Sequence, residues 1–471
     1  MKTAHRQYIN GAFTQPHGGE PITIINPANE QPIGTALLGD EQDALLAIAA
    51  AHAAQESFAQ STRAQRMDWL QQLHDAVLDR LDDLAEVTID EYGATLQRAT
   101  WSNRYAAETF LYFKTLLQDF AFERTVGQSQ VVLEPVGVTA IFTAWNSNAG
   151  SICVKLAAAI AAGCTTVIKP SEMSALQTDV LMACFDKAGL PPGVINVING
   201  RGDVMGNVLS THPDVAKITF TGSSAIGKII ARQATETMKR LTLELSGKSP
   251  NILLDDADLA TAVPMAVQAC FQNSGQACVA GSRLLVPEQL LPAVKQLIIE
   301  TVNHMKVGDP RDAKTVIGPL ASQRQYDRIQ QYIRAGIHEG AELLIGGQDR
   351  PEGFEAGYYV QPTVFTGVRN DMTIAREEIF GPVLSVITYR NEAEAIAIAN
   401  DTIYGLQAYI SSSNPERARR VASQIKAGRV TINSLQHDAL APFGGFKQSG
   451  LGREGGMYGL EQQLETKAII G

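Results

Sequence analysis

The chain has 471 residues, 45% of them hydrophobic and 19% charged, and a formal net charge of −10. At about 100–200 residues per domain it holds two to four domains, and its apolar fraction excludes a largely disordered chain. The acidic balance argues against nucleic acid as the main partner, because phosphate binding needs a net basic face, but leaves small nucleotides open.

The first residues lead into no apolar stretch of signal-peptide length, and the longest apolar run, 156–164, is too short to cross a bilayer. From about residue 40 to 84 the sequence reads as two amphipathic helices, with Asp40 and Asp43 spaced as a cap and Trp69, Leu70, Leu73, Val77 and Leu81 at helical intervals. The stretch 88–118 repeats that pattern, and β-rich pieces follow at 128–133 and 137–144. Strands are then expected at 165–169, 194–198, 217–221 and 241–245, alternating with helices at 173–188, 204–210 and 224–234. This alternation implies βαβ units and a parallel sheet, with ligands at the carboxyl ends of its strands. Beyond residue 247 the rhythm resumes, with strands at 282–286, 358–365, 383–389 and 429–433 and helices near 288–305, 322–339, 392–400 and 415–426. The fold class is therefore α/β with two halves.

Three glycine-dense places invite a phosphate. Residues 199–206 (NGRGDVMG) place Gly200, Gly202 and Gly206 between a strand and a helix, but in a spacing that departs from GxGxxG; a tight turn at positive φ is the plain alternative. Residues 222–229 nearly spell a P-loop, yet Ile229 stands where the magnesium-binding hydroxyl belongs. Gly222 and Ser223 can still offer N–H groups at a helix start to a pyrophosphate. The third, 441–453, carries Phe443 and Phe446 and reads as a pocket-lining loop.

Five cysteines occur with no CxxC pair, and eight histidines with no HExxH, so neither a disulfide framework nor a metal site is expected, and a reducing, cytoplasmic setting is. Cys153, Cys164, Cys184 and Cys270 lie in apolar contexts that read as packing. Cys278 differs, being flanked by Gly275 and Gly281, and is a candidate nucleophile with no histidine close in sequence. Glu244 ends an apolar strand, where burial would raise its pKa toward the range of a general base; a salt-bridged strand end is the alternative. Asn146, after Trp145, could offer an amide to an oxyanion or simply make a turn.

Taken together, Trp145-Asn146, Ile168-Lys169-Pro170-Ser171-Glu172, Phe220-Thr221-Gly222-Ser223, Leu243-Glu244-Leu245-Ser246-Gly247-Lys248, Gly275-Gln276-Ala277-Cys278, Glu377-Glu378-Ile379-Phe380-Gly381-Pro382 and Pro442-Phe443-Gly444-Gly445 occur in an order that resembles the NAD(P)-dependent aldehyde dehydrogenase superfamily over essentially the whole chain. The resemblance implies that Cys278 attacks an aldehyde and that the oxyanion is held by the Asn146 side chain and the Cys278 N–H. It also implies that Glu244 activates water for hydrolysis of a thioester. Relatives that acylate CoA typically lack this glutamate. Lys169 and Glu172 would bind the adenosine ribose, which favours NAD over NADP. Trp145, Gly202, Gly206, Gly222 and Ser223 would line the rest of the dinucleotide site, with Glu378 and Phe380 on the nicotinamide ribose. Lys155, nine positions after Asn146, matches a polar residue near the oxyanion.

The departures concern the substrate. Ser147 and Ser151 stand in the run where many relatives carry large apolar residues, and His437 in the loop where several place an aromatic, which implies a wider, more polar mouth lined also by Phe443. The implied domains are 1–120 with 137–246 for the cofactor, 247–448 for catalysis, and 121–136 with 449–471 for self-association into a homodimer or homotetramer. A CoA-acylating dehydrogenase, a binding protein on the same fold, a P-loop hydrolase and a cofactor-free cysteine hydrolase are the competing readings.

Overall fold

The alternation of strands and helices builds two separate, mainly parallel sheets in a computed structural model that describes all 471 residues. The first has eight strands in the order Gly450–Leu451, Arg240–Glu244, Lys217–Thr221, Thr139–Phe142, Thr166–Lys169, Ile195–Val197, Gln7–Ile9 and Ala12–Thr14. Its five central strands are parallel, and antiparallel pairing is confined to the two ends. Thr139–Phe142 and Thr166–Lys169 are buried at every position, as a sheet covered on both faces requires. The second sheet runs Glu342–Ile345, Thr363–Thr366, Val383–Tyr389, Arg283–Pro287, Pro250–Leu253, Gln407–Ser411 and Arg429–Ile432, with only the first strand antiparallel. A third sheet of Leu464–Ile469, Ser129–Pro135 and Glu123–Val126 is wholly antiparallel.

Several sequence expectations are met at the residue level. Asp40 and Asp43 form a reciprocal capping box on helix Glu41–Ala59, each side chain accepting a backbone N–H of the other's end. Lys217–Thr221, Ser224–Ala234 and Val383–Tyr389 have the bounds their patterns indicate.

Others are corrected. The pattern at 88–118 belongs to two helices, Leu81–Tyr92 and Leu96–Asp119, because Gly93 closes the first at φ 79°. The strand expected from 358 begins at Thr363. The structure adds two elements that the sequence pattern does not signal, a three-stranded N-terminal sheet of Lys2–Ala4, Pro32–Leu38 and Glu20–Ile25 and the helix Asn148–Ala162. That helix is buried nearly all round and alanine-rich, so it carries no polar stripe to mark it. The glycines at 200, 202 and 206 do not adopt positive φ, which removes the tight-turn reading there. Gly200 is needed for space instead, since an added Cβ would lie 2.3 Å from the Met205 sulfur.

Candidate active site

The candidate residues of the first sheet lie at or just beyond strand ends. In the first sheet Trp145 and Asn146 follow Thr139–Phe142, Lys169 ends Thr166–Lys169, Gly222 and Ser223 follow Lys217–Thr221, and Glu244 ends Arg240–Glu244. All lie at carboxyl ends of parallel strands, where open α/β sheets bind ligands.

Cys278 follows a turn in which Asn273, Ser274 and Gly275 have φ of 56°, 54° and 72°. Left-handed backbone costs non-glycine residues about 1–2 kcal/mol each, so the surroundings must hold it. Asn273 Nδ2 donates to the Gln276 carbonyl at 3.0 Å, Ser274 Oγ to the Gly318 carbonyl at 3.0 Å, and Gln276 Oε1 accepts the Ala321 N–H at 3.0 Å. Gly275 is forced, because a Cβ there would sit 2.1 Å from the Gly381 carbonyl carbon. Gly247 is forced from the other side, its Cβ position lying 2.3 Å from the Cys278 carbonyl oxygen. The loop is thus clamped between the ends of the two sheets.

Asn146 Nδ2 donates to the Gln276 carbonyl at 3.0 Å, which holds the amide over the loop that carries Cys278. Trp145 packs between Tyr92 and Phe380, with ring centroids 5.7 and 5.4 Å away. Cys278 is half-buried and the other four cysteines are fully buried; all five thiols are free. Burial pushes the Cys278 thiol up to about 12, with the Glu378 and Glu244 carboxylates adding to it and the N–H groups of Cys278 and Val279 opposing.

Glu244 is 3% exposed, and neither carboxylate oxygen has a hydrogen-bond partner. Desolvation raises its pKa well above 4.5, Glu454 adds repulsion, and Lys155 and Arg453 oppose. The salt-bridged strand end is therefore not what the structure contains. Lys155 Nζ pairs with Glu454 Oε1 at 2.5 Å and donates to Thr221 Oγ1 at 2.7 Å. It thus sits on the Glu244 side of the site, occupied by an ion pair, and does not donate to the Cys278 loop.

On the far side, Ser223 caps helix Ser224–Ala234 by accepting the Ile226 N–H at 3.3 Å. A Cβ on Gly222 would collide with the Phe220 ring at 2.3 Å, so the turn before the cap is bare. Gly202 opens helix Gly202–Thr211 with open space around it, and Gly206 lies one turn on, its Cβ position 3.9 Å from Phe142. Lys169 is buried with a lowered pKa from desolvation; its ammonium donates to the Pro170 carbonyl at 2.8 Å and reaches Glu172 at 3.5 Å. Glu378 accepts the Gly247 N–H at 2.9 Å, and its carboxyl is raised by burial. Phe380 adopts φ 64° against Trp145. No group of three or more metal-ligating side chains occurs.

The four substrate-side residues divide. Ser147 lines a cleft with Tyr92, Arg98, Trp145 and Asn146, which Ser151, one turn on, does not line. His437 faces Tyr105 at 3.2 Å and Arg429 at 3.2 Å, and burial with the Arg429 charge lowers its pKa to about 4, so its ring is neutral. The Arg429 guanidinium lies 5.4 Å over the Phe443 ring. Sequence reasoning missed Asn273, Gln276, Glu454, Arg429 and Arg98. Glu454 was signalled by standing charged in the glycine-rich run 450–456, while Asn273 and Gln276 flank a turn that only a backbone shows.

A clamped thiol, an amide held over its loop, a buried carboxylate and a bare helix start occur together at the strand ends of a two-sheet α/β chain. The chain belongs to the aldehyde dehydrogenase family, whose profile matches residues 13–469. It is 45% identical over 473 aligned positions to a 3-succinoylsemialdehyde-pyridine dehydrogenase of a Pseudomonas species, covering 100% of this chain and 99% of that protein. A cysteine-to-alanine variant of aldehyde dehydrogenase C from Pseudomonas syringae, solved with NAD+ and octanal, superposes with a TM-score of 0.97 at 44% identity, over 99% of this chain and 96% of that one. A betaine aldehyde dehydrogenase from Staphylococcus aureus, solved with NAD+, superposes with a TM-score of 0.96 at 37% identity, over 99% and 94%. The P-loop and cofactor-free hydrolase readings are set aside by this membership.

Proposed function

We propose that the chain oxidises an aldehyde to the free carboxylic acid, with NAD+ as oxidant and Cys278 as nucleophile. The observation that carries it is Glu244: a carboxylate without any partner, buried at a strand end on the same site as the thiol. Such a group is held for a proton, not for an ion pair. The thiolate of Cys278 adds to the aldehyde carbon, and the oxyanion takes the Asn146 amide and the Cys278 N–H. NAD+, when bound, supplies the acceptor for the hydride that this carbon loses. Glu244 then takes a proton from water as that water attacks the thioester, and the acid leaves with the thiolate restored.

The residues present suit the dinucleotide. Ser223 offers a helix N-terminus with no side chain at Gly222 to obstruct it, Gly202 and Gly206 leave the neighbouring helix open, and Glu378 and Phe380 stand beside Trp145 for the nicotinamide ribose. Lys169 and Glu172 at the next strand end suit ribose hydroxyls, and the Glu172 carboxylate repels a 2′-phosphate, so NAD is preferred to NADP. The co-crystallised NAD+ of the two solved relatives supports this cofactor.

The substrate we infer is polar or bulky, admitted past Ser147, Ser151, His437 and Phe443. The relative named for 3-succinoylsemialdehyde-pyridine supports that reading, and the octanal of the Pseudomonas syringae complex favours a second one, an alkyl aldehyde. Domains at 1–120 with 137–246, 247–448, and 121–136 with 449–471 accompany this assignment. The test is a panel of aldehydes with NAD+, read by NADH absorbance, with the product identified with and without CoA. Free acid in both cases supports the reading; an acyl-CoA product, or no NADH at all, overturns it.

A further inference from the structure

Arg98 is placed where a cation is unwelcome. It stands in the first turn of helix Leu96–Asp119, with its backbone N–H on the Thr95 cap, so the positive end of the helix dipole opposes its charge. Its guanidinium lies 4.7 Å from the centroid of the Trp101 ring, three residues on, and lines the cleft that also holds Tyr92, Asn146 and Ser147. No side chain or carbonyl of the chain accepts a hydrogen bond from it, and no carboxylate lies within ion-pair distance. Desolvation lowers its pKa, and the groups that oppose this are Tyr92 and Cys278, both neutral at neutral pH because burial raises them.

The neighbouring charges do not relieve it. Arg429 donates to His437 and to the Asp438 carbonyl, at 3.2 and 2.9 Å, and adds positive charge to the same mouth. His437 is neutral. The Asp438 carboxylate accepts the N–H groups of Leu440 and Ala441 at 2.9 and 3.3 Å. A half-buried guanidinium with five donors, in a cleft whose wall includes the Asn146 amide, therefore has no hydrogen-bond or ion-pair partner within the chain.

We propose that Arg98 is the anchor for a carboxylate at the far end of the substrate, so that the physiological aldehyde is an acid semialdehyde. The carboxylate takes the guanidinium as a bidentate pair, and the aldehyde end is presented to Cys278 beneath Asn146. This rests on the reading of Cys278 as an aldehyde-oxidising nucleophile, and it names the polar group that the substrate mouth accommodates.

The test uses the full chain with NAD+ and straight-chain aldehydes of three to six carbons, each as the terminal carboxylate and as its methyl ester. A hydrogen bond between charged groups in a half-buried cleft is expected to favour the carboxylate about 10- to 100-fold in kcat/KM, chiefly through KM. Arg98→Met should collapse the acid-to-ester ratio toward one, and Arg98→Lys should restore part of it. An acid-to-ester ratio near one in the unaltered enzyme overturns the inference, whether or not the variants fold. A ratio that survives in Arg98→Met overturns it as well. Absence of NADH with every aldehyde is a different result and overturns the underlying dehydrogenase reading with it.

Discussion

Burial drives both groups proposed to react, Cys278 and Glu244, toward their neutral forms. Turnover should therefore rise with pH, because thiolate and carboxylate are both the deprotonated species, and a pH series of kcat checks this. Cys278→Ala should abolish NADH formation. Glu244→Gln should lower kcat by about 10²- to 10⁴-fold, the usual worth of a positioned general base, and single-turnover kinetics should show an early NADH burst if deacylation is the step slowed. Stability responds in the opposite sense. A carboxyl whose folded pKa is raised favours folding at low pH and loses that contribution as pH climbs from 4.5 through the raised value. Thermal melts should accordingly show Glu244→Gln gaining on the unaltered chain as the pH rises through this window.

At the scale of elements, the catalytic loop is held by space as much as by bonds. Gly247→Ala places a methyl 2.3 Å from the Cys278 carbonyl, so the loop must shift by more than an ångström. A displacement of that size at a reacting atom costs on the order of 10²-fold in kcat, while helix content measured by circular dichroism should be unchanged. Asp40→Ala removes half of a capping box and should cost about 1 kcal/mol in chemical denaturation. These same elements mark what the sequence made legible. Lys217–Thr221 and Ser224–Ala234 could be read to the residue, since a short apolar strand and a capped amphipathic helix carry their own periodicity. Asn148–Ala162 could not, because a helix buried on every side has no period to detect. Cys278, Glu244 and Asn146 were legible as residue types out of context, and jointly through ordered motifs. Arg98 was not, since its meaning lies in what fails to surround it, and Lys155 was legible only as a position, its pairing with Glu454 spanning 299 residues.

For the whole molecule, the small sheet of Leu464–Ile469, Ser129–Pro135 and Glu123–Val126 is separate from the two large ones in its strand pairing and leaves the outer edges of Leu464–Ile469 and Glu123–Val126 unpaired. Val126, Ile469 and Ile470 are 60%, 49% and 83% exposed, an apolar edge of the kind that pairs with another chain. We expect a homodimer or homotetramer through this sheet. Ile469→Lys with Val126→Lys should shift the species seen by light scattering toward the monomer, and an unchanged mass would reject this sheet as the contact. No helix is long and apolar enough to cross a membrane. The short strand Gly450–Leu451 closes the first sheet beside Glu244, pairing Gly450 with Glu244 itself, and the Ser449 carbonyl accepts the Leu245 N–H at 2.9 Å. That closure has a consequence in time. A ribosome that has released the other seven strands of this sheet and the Cys278 loop has still not supplied the strand that flanks Glu244. During synthesis the edge at Glu244 stays open until residue 451 emerges, so the surroundings of this carboxyl are closed only after the seven other strands of its sheet have been made.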